Sequence, residues 1–220
     1  MFVRMWMTAE VVTVNAETPI LEARTLMKQH SIRRLPVLKH GRLVGIVTQG
    51  DIQEASPSDA TSLSVWELNY LLAKTRVSDI MTPRANLSTI GPDDPVEKAA
   101  LLMRERKISG LPVLEEDELV GIITESDIFD ILLHVMGVRM QGTRLTLALC
   151  DAPQMLVKVL DVCREQGVKV LSIVTCDECR RALPQVQDKS VVVVRVEGYD
   201  FKGIVRALKA SGIEVLDARN

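Results

Sequence analysis

Apolar positions in the first two thirds of the chain follow a pattern that occurs twice. Ile32 to Ile52 reads IRRLPVLKHGRLVGIVTQGDI, and Ile108 to Ile128 reads ISGLPVLEEDELVGIITESDI, offset by 76 positions (112 − 36 for the two prolines). Leu-Pro-Val-Leu, Leu-Val-Gly-Ile, a Thr and Asp-Ile recur in register, and most differences fall in the turn. Each copy predicts a short apolar strand, a polar turn, a second strand, and a helix beginning at Thr-x-x-Asp. The turns are Lys39-His40-Gly41-Arg42 and Glu115-Glu116-Asp117-Glu118. An internal repeat of this kind sets the architecture before any single residue is interpreted.

The flanks of both copies agree. Val11-Val12-Thr13-Val14 predicts a β-branched strand, and Thr18-Pro19 a helix start, with Thr at the cap and Pro at the first helical position. Ile20, Ala23, Leu26 and Met27 then recur at helical spacing. The second copy offers Ser88-Thr89-Ile90 as its strand, Asp94-Pro95 as its cap, and Ala99, Leu102 and Met103 as its apolar stripe. Met7-Thr8 and Met81-Thr82 open the two copies. Between them, Ser56 to Ser62 reads as a turn-rich linker, and Trp66, Leu68, Leu71 and Leu72 predict a linker helix.

From about Gly142 the pattern changes. Leu145, Leu147 and Leu149 alternate along a strand, and Asp151-Ala152-Pro153 starts a helix that Gly167 ends. Val168–Thr175 and Ser190–Val196 read as β-branched strands, with Val191–Val194 buried. Phe201–Ala210 reads as a helix and Ile213–Leu216 as a last strand. This order, βαββαβ, is a ferredoxin-like plan with helices on one face of an antiparallel sheet. The expected division is a first repeat over 1–56, a linker over 57–76, a second repeat over 77–136, and a separate domain over 142–218.

Composition narrows the partners. Lys plus Arg total 27 and Asp plus Glu 29, a net charge of −2, which gives no electrostatic case for nucleic acid or a membrane surface. Aromatics at 3% also argue against a base-stacking surface. No apolar run approaches the ~20 residues of a membrane span, and the first residues lack the apolar core of a signal peptide. A reducing cytoplasmic location is therefore expected, and the four cysteines do not read as a disulfide framework.

Thr48-x-x-Asp51 and Thr124-x-x-Asp127 are the residues most suited to chemistry. As a capping box, the Thr caps a helix and the acid bonds back to the chain. The same geometry suits a ligand: a hydroxyl beside free N–H groups at a helix N-terminus fits a phosphate, and a short carboxylate can accept from both ribose hydroxyls. The two readings are compatible.

The doubled unit resembles the cystathionine-β-synthase (CBS) domain, whose tandem pairs form Bateman modules, over roughly residues 1–136. The resemblance implies clefts between the repeats for adenosyl ligands such as AMP, ADP, ATP or S-adenosylmethionine. It implies contacts with phosphate and ribose from Thr48, Asp51, Thr124 and Asp127. Arg33 and Arg34 stand where the second copy has Ser109 and Gly110. In the family, basic residues here commonly meet phosphates, for which Arg is well suited; the alternative, that they are two solvated arginines at a strand start, carries slightly less weight. Unequal clefts follow, one able to neutralise phosphate and one poorer. Ile32 and Ile108 are expected near adenine or in the core.

Residues 142–218 resemble the ACT domain, a βαββαβ module that often binds amino acids at a dimer interface. Many amino-acid-binding members have Asp-x-Pro-Gly after the first strand, where this chain has Asp151-Ala152-Pro153-Gln154. The whole chain is similar to the stand-alone bacterial acetoin-utilisation (AcuB-like) proteins.

The histidines (His30, His40, His134) are dispersed, and no nucleophile, base and oxyanion site assembles. Cys176-Asp177-Glu178-Cys179 is a lone CxxC that is open to a metal, a redox or a purely structural reading. The expected protein is thus of the α+β class, a tandem CBS pair followed by an ACT domain. It is a non-enzymatic homodimeric regulator requiring no cofactor, with an adenine nucleotide as regulatory ligand and a protein partner. The alternative is a redox- or metal-responsive regulator using the ACT-domain cysteines.

Overall fold

The computed structural model describes residues 1–56, 72–150, 153–176, 186, 189–198 and 201–220. The helix expected around Trp66, and Asp151, Ala152 and Cys179, lie outside them. The chain divides into two compact units, Met1–Ile128 and Phe129–Asn220.

In the first unit, repeat one runs β1 (Val14–Asn15), α1 (Ile20–Gln29), β2 (Arg34–Lys39), β3 (Arg42–Thr48) and α2 (Gln49–Glu54). A short helix α3 (Val77–Ile80) and strand β4 (Thr82–Pro83) lead into repeat two. It continues with α4 (Val96–Arg106), β5 (Gly110–Glu115), β6 (Glu118–Thr124) and the start of α5 (Glu125–Val135), whose residues from Phe129 onward belong to the second unit. The β2–β3 and β5–β6 hairpins have matching registers: Pro36 faces Ile46 as Pro112 faces Ile122, with an irregularity after Val37 and after Val113. Each hairpin closes on a two-residue loop with both residues at positive φ, His40-Gly41 and Glu116-Asp117, as a turn matching the strand twist requires. The core of repeat one is made by Leu35, Val37 and Val47 from the hairpin against Ala23 and Met27 of α1.

The opening segments exchange partners. Met81-Thr82 lies along β3 of repeat one, with Thr82 opposite Ile46. Thr8 bonds in both directions with Ile122 of repeat two (2.9 and 3.0 Å). The N-terminal residues continue on the second repeat, Val3 N–H donating to Asp94 O and Arg4 N–H to Pro92 O. In mirror fashion, Val77 N–H donates to Thr18 O and Ser78 N–H to Ala16 O. This exchange explains why the expected caps differ. Pro19 and Pro95, not Thr18 and Asp94, occupy the N-cap positions, and neither makes a side-chain cap. Ile20 N–H is met by Thr75 O and Val96 N–H by Met1 O, so incoming backbone does what a cap side chain would. Asp94 instead accepts from Gly91 N–H (3.0 Å) and Lys98 Nζ (2.8 Å), and both bonds hold its carboxyl below the usual carboxylate range. The strand expected at Val11–Val14 is confined to Val14–Asn15, paired in parallel with Val37 and Leu38.

The second unit holds β7 (Gly142–Cys150), α6 (Pro153–Glu165), β8 (Val170–Cys176), β9 (Lys189–Glu197), α7 (Phe201–Ala210) and β10 (Glu214–Arg219). The sheet order is β10-β7-β9-β8, antiparallel throughout. Leu145, Leu147 and Leu149 face Val159, Val162 and Cys163 of α6 and Ile204 and Leu208 of α7 in one core. Gly167 takes φ +64° directly after α6, the conformation a helix-ending glycine supplies. Cys163 is buried, and burial pushes its thiol pKa up, so it serves as a small apolar residue. Cys176, in the CxxC that the sequence left open to a redox reading, is disulfide-bonded, while Cys150 and Cys163 are free.

The exchange depends on two glycines. A Cβ on Gly45 would lie 2.6 Å from Met81 Sδ and 2.7 Å from the Thr82 carbonyl oxygen; on Gly121 it would lie 2.5 Å from Met7 Sδ but 3.2 Å from the Thr8 carbonyl oxygen. Gly45→Ala should therefore cost about 1–3 kcal/mol through overpacking against backbone. Gly121→Ala should cost less, because the methionine side chain can rotate away. Denaturant titration of both variants checks this order; equal losses would contradict it.

Candidate functional site in the first unit

A cavity of about 920 Å³ opens between the two repeats, within the size range of small-molecule sites. Four stretches build it. Thr8 is fixed to β6 by its paired backbone bonds, and Val14 is fixed to β2. The chain between them therefore has to bridge the repeats, and Glu10, Val11 and Val12 line the cavity on the way. Ser31 to Arg34, with Pro36, come from the start of β2. Thr48, Gln49, Gly50 and Gln53 come from the start of α2, and Ser109, Ile122 and Thr124 to Asp127 from repeat two.

The two Thr-x-x-Asp motifs make the same two carboxylate bonds. Asp51 Oδ2 accepts from Thr48 N–H (2.7 Å) and Thr48 Oγ1 (2.8 Å), and Thr48 Oγ1 accepts from Asp51 N–H at 3.3 Å. Asp127 Oδ2 accepts from Thr124 N–H (2.7 Å) and Thr124 Oγ1 (2.8 Å). Each carboxylate thus spends one oxygen on its helix start, and Oδ1 makes no hydrogen bond among the described residues. Capping and ligand contact do not compete for the same atom.

Six of the eight residues singled out from the sequence line this cavity: Ile32, Arg33, Arg34, Thr48, Thr124 and Asp127. Asp51 and Ile108 do not. The cavity takes the β2 start and the Thr48 to Gly50 turn from repeat one and the Thr124 to Asp127 turn from repeat two, with Asp127 but not Asp51 in its lining. The two arginines therefore share a site with Asp127 and not with Asp51.

Arg33 is exposed, whereas Arg34 reaches across to repeat two. Arg34 Nη2 donates to Ser109 Oγ (2.6 Å), and Nη1 donates to the Ser109 carbonyl oxygen. Burial lowers the Arg34 pKa first; Glu125 and Asp127 raise it and Arg33 lowers it further. Gly110 is the counterpart of Arg34 in repeat two. A Cβ there would collide with the Arg34 guanidinium, its Cζ lying only 2.9 Å away. As Arg34 is placed, its guanidinium fills the space a side chain at Gly110 would take, so the Arg34–Gly110 difference fits the packing here.

Sequence reading missed Glu10, Gln49, Gln53 and Glu125. The signal for Glu125 and Gln49 lay inside the motif itself, at the first variable position of Thr-x-x-Asp, where the copies differ in charge. Glu10 gave no signal, since its place depends on the exchange of opening segments. Among the described residues no three or more His, Cys, Asp or Glu side chains gather as metal ligands.

Comparison with known proteins agrees with this picture. The CBS domain family matches residues 3–58 and 77–134, and the TTHA0829-like ACT domain matches 141–219. A CBS domain-containing protein of Dictyostelium discoideum is 35% identical over 136 residues, 61% of this chain and 92% of that protein. An inosine-5′-monophosphate dehydrogenase of Korarchaeum cryptofilum is 36% identical over 145 residues, 66% of this chain; the match spans only 27% of the dehydrogenase. Among solved structures, a putative acetoin utilization protein (AcuB) from Vibrio cholerae has TM-score 0.52 at 28% identity, covering 63% of this chain and 95% of that one. The CBS domain pair of protein MJ0100, in complex with 5′-methylthioadenosine and S-adenosyl-L-methionine, has TM-score 0.50 at 31% identity, covering 60% and 95%. CBSX2 in complex with AMP has TM-score 0.50 at 29% identity, covering 60% and 96%. With a doubled strand–turn–strand–helix unit, an inter-repeat cavity and these matches, the chain belongs to the CBS-domain family, as a tandem pair followed by a TTHA0829-like ACT domain.

Proposed function

We propose that this protein is a regulator that senses an adenosyl ligand in the cavity of its CBS pair and passes the signal to a protein partner through its ACT domain. One observation carries the reading: Ile32, Arg33 and Arg34 of one repeat and Thr124 and Asp127 of the other line one cavity, with Asp127 Oδ1 uncommitted. An adenosyl group fits these chemistries, with Ile32 against the base, Asp127 on the ribose hydroxyls and Arg33 at the 5′ end. The ligands named for MJ0100 and CBSX2 support it. A ligand touching both repeats favours the arrangement in which both contacts form, and this differential affinity shifts the population.

Three further parts of the proposal are a homodimer, a cytoplasmic location and a role connected with acetoin or related carbon metabolism. The last is supported by likeness to the Vibrio cholerae protein. We read the chain as a regulator and not an enzyme. The relatives it covers nearly whole, from Dictyostelium discoideum and Bacillus subtilis, are CBS domain-containing proteins. The second reading, a redox-responsive regulator, draws on the disulfide at Cys176.

The duplicated motif supplies its own control. Asp51→Ala and Asp127→Ala lose the same capping bonds and should lose similar stability, about 0.5–2 kcal/mol. Only Asp127→Ala should also weaken the ligand bound in this cavity, by about 1–3 kcal/mol. Calorimetric titration with AMP and S-adenosylmethionine measures this. Equal loss of affinity in both variants, or in neither, would remove Asp127 from the proposed role. For the second reading, thiol titration before and after reduction should show the increase that a disulfide gives. Nucleotide affinity should be the same in both states, and a response governed by thiol state alone would favour the redox regulator.

A further inference from the structure

The charges in the cavity do not favour phosphate in quantity. Its lining carries Arg33 and Arg34 against Glu10, Glu125 and Asp127. Arg34 is already bonded to the Ser109 carbonyl and hydroxyl, which leaves Arg33 as the cation in the lining without such a commitment. The N-terminal turn of α5 offers its partial positive charge, but Glu125 and Asp127 stand in that same turn and answer it first. A terminal phosphate brings about −1.5 to −2 charges at pH 7, and each further phosphate adds to it. One guanidinium can meet one phosphate in a bidentate pair. A triphosphate would set its remaining charge against exposed Glu10 and Glu125, and like charges at a site count as specificity against the wrong ligand.

We propose that Glu10 and Glu125 set the charge preference of this cavity. It then takes an adenosyl ligand whose 5′ group is a single phosphate, a thioether or a sulfonium, and turns away the triphosphate. This inference rests on the reading of the cavity as an adenosyl site. Its counterpart residue, Gln49 at the start of α2, is neutral and also lines the cavity, so the preference comes from the second repeat and from the bridging segment. Specificity is achieved here by repulsion, because the hydrogen bonds available to base and ribose are common to all these ligands.

The test is calorimetric titration of the full chain with AMP, ATP, 5′-methylthioadenosine and S-adenosylmethionine, with and without Mg²⁺. The proteins are wild type, Glu10→Gln, Glu125→Gln and the double variant. Both side chains are exposed, so the variants should fold, which an unchanged melting midpoint verifies. ATP should bind wild type at least about tenfold more weakly than AMP. Each substitution should narrow that ratio, and the double variant should bring it near unity while weakening S-adenosylmethionine. ATP binding as tightly as AMP to wild type, with or without Mg²⁺, would overturn the inference. An AMP-to-ATP ratio unchanged in the double variant would overturn it equally. If none of the four ligands binds wild type, the adenosyl reading itself fails and the charge preference falls with it.

Discussion

Backbone pairing across the two repeats is the constraint on which the first unit depends. Thr8 closes on Ile122 and Thr82 on Ile46, so each repeat's third strand is completed by the opening segment of the other. Strand edges carry unpaired N–H and C=O groups that must be satisfied or shielded, and here the satisfaction is reciprocal. The α1 and α4 N-termini follow the same logic, with Thr75 and Met1 carbonyls accepting the first amides. Neither repeat is complete without the other. The cavity inherits this dependence, because Glu10 to Val12 are stretched between an anchor in repeat two and an anchor in repeat one.

The site also shows how little chemistry has to be added to a well-formed helix start. Asp51 and Asp127 do the same local work through the same oxygen, and the difference between them is location. Capping contributes on the order of 1 kcal/mol wherever it occurs. On the proposed reading, a ligand role arises only where the carboxylate also lines a space large enough to fill, as Asp127 does and Asp51 does not. Arg34 illustrates the converse. Its charge is favourable in principle, yet burial and hydrogen bonding to Ser109 commit it to joining the repeats.

Much of this was legible in the chain. The repeat gave the hairpins, the helices and their register, because alternation and helical spacing are local properties of Leu35, Val37, Val47 and their counterparts. The βαββαβ order of the second unit was legible for the same reason. Thr18 was misread because cap preference is a local rule, and here the helix amide was met by Thr75, fifty-odd residues away. Val11 and Val12 looked like strand because they are β-branched, but the bridging segment finds no neighbour to pair with until Val14. The equivalence of Asp51 and Asp127 in sequence hid which of them shares space with Arg33. That is set by the rotation relating the repeats, which no linear pattern encodes.

Gly110 has a wider consequence. Arg34, as placed, occupies the space that a side chain on its own counterpart would take, so the two positions at the meeting point of the repeats are filled unequally. Two separate copies of a single repeat, paired on a true two-fold axis, would place identical residues there and have to settle for something small or neutral on both sides. Covalent fusion of the copies lifts that restriction. Once each half can mutate on its own, the axis becomes a place where a single charge can be installed, and the halves are free to divide labour that symmetry would have forced them to share.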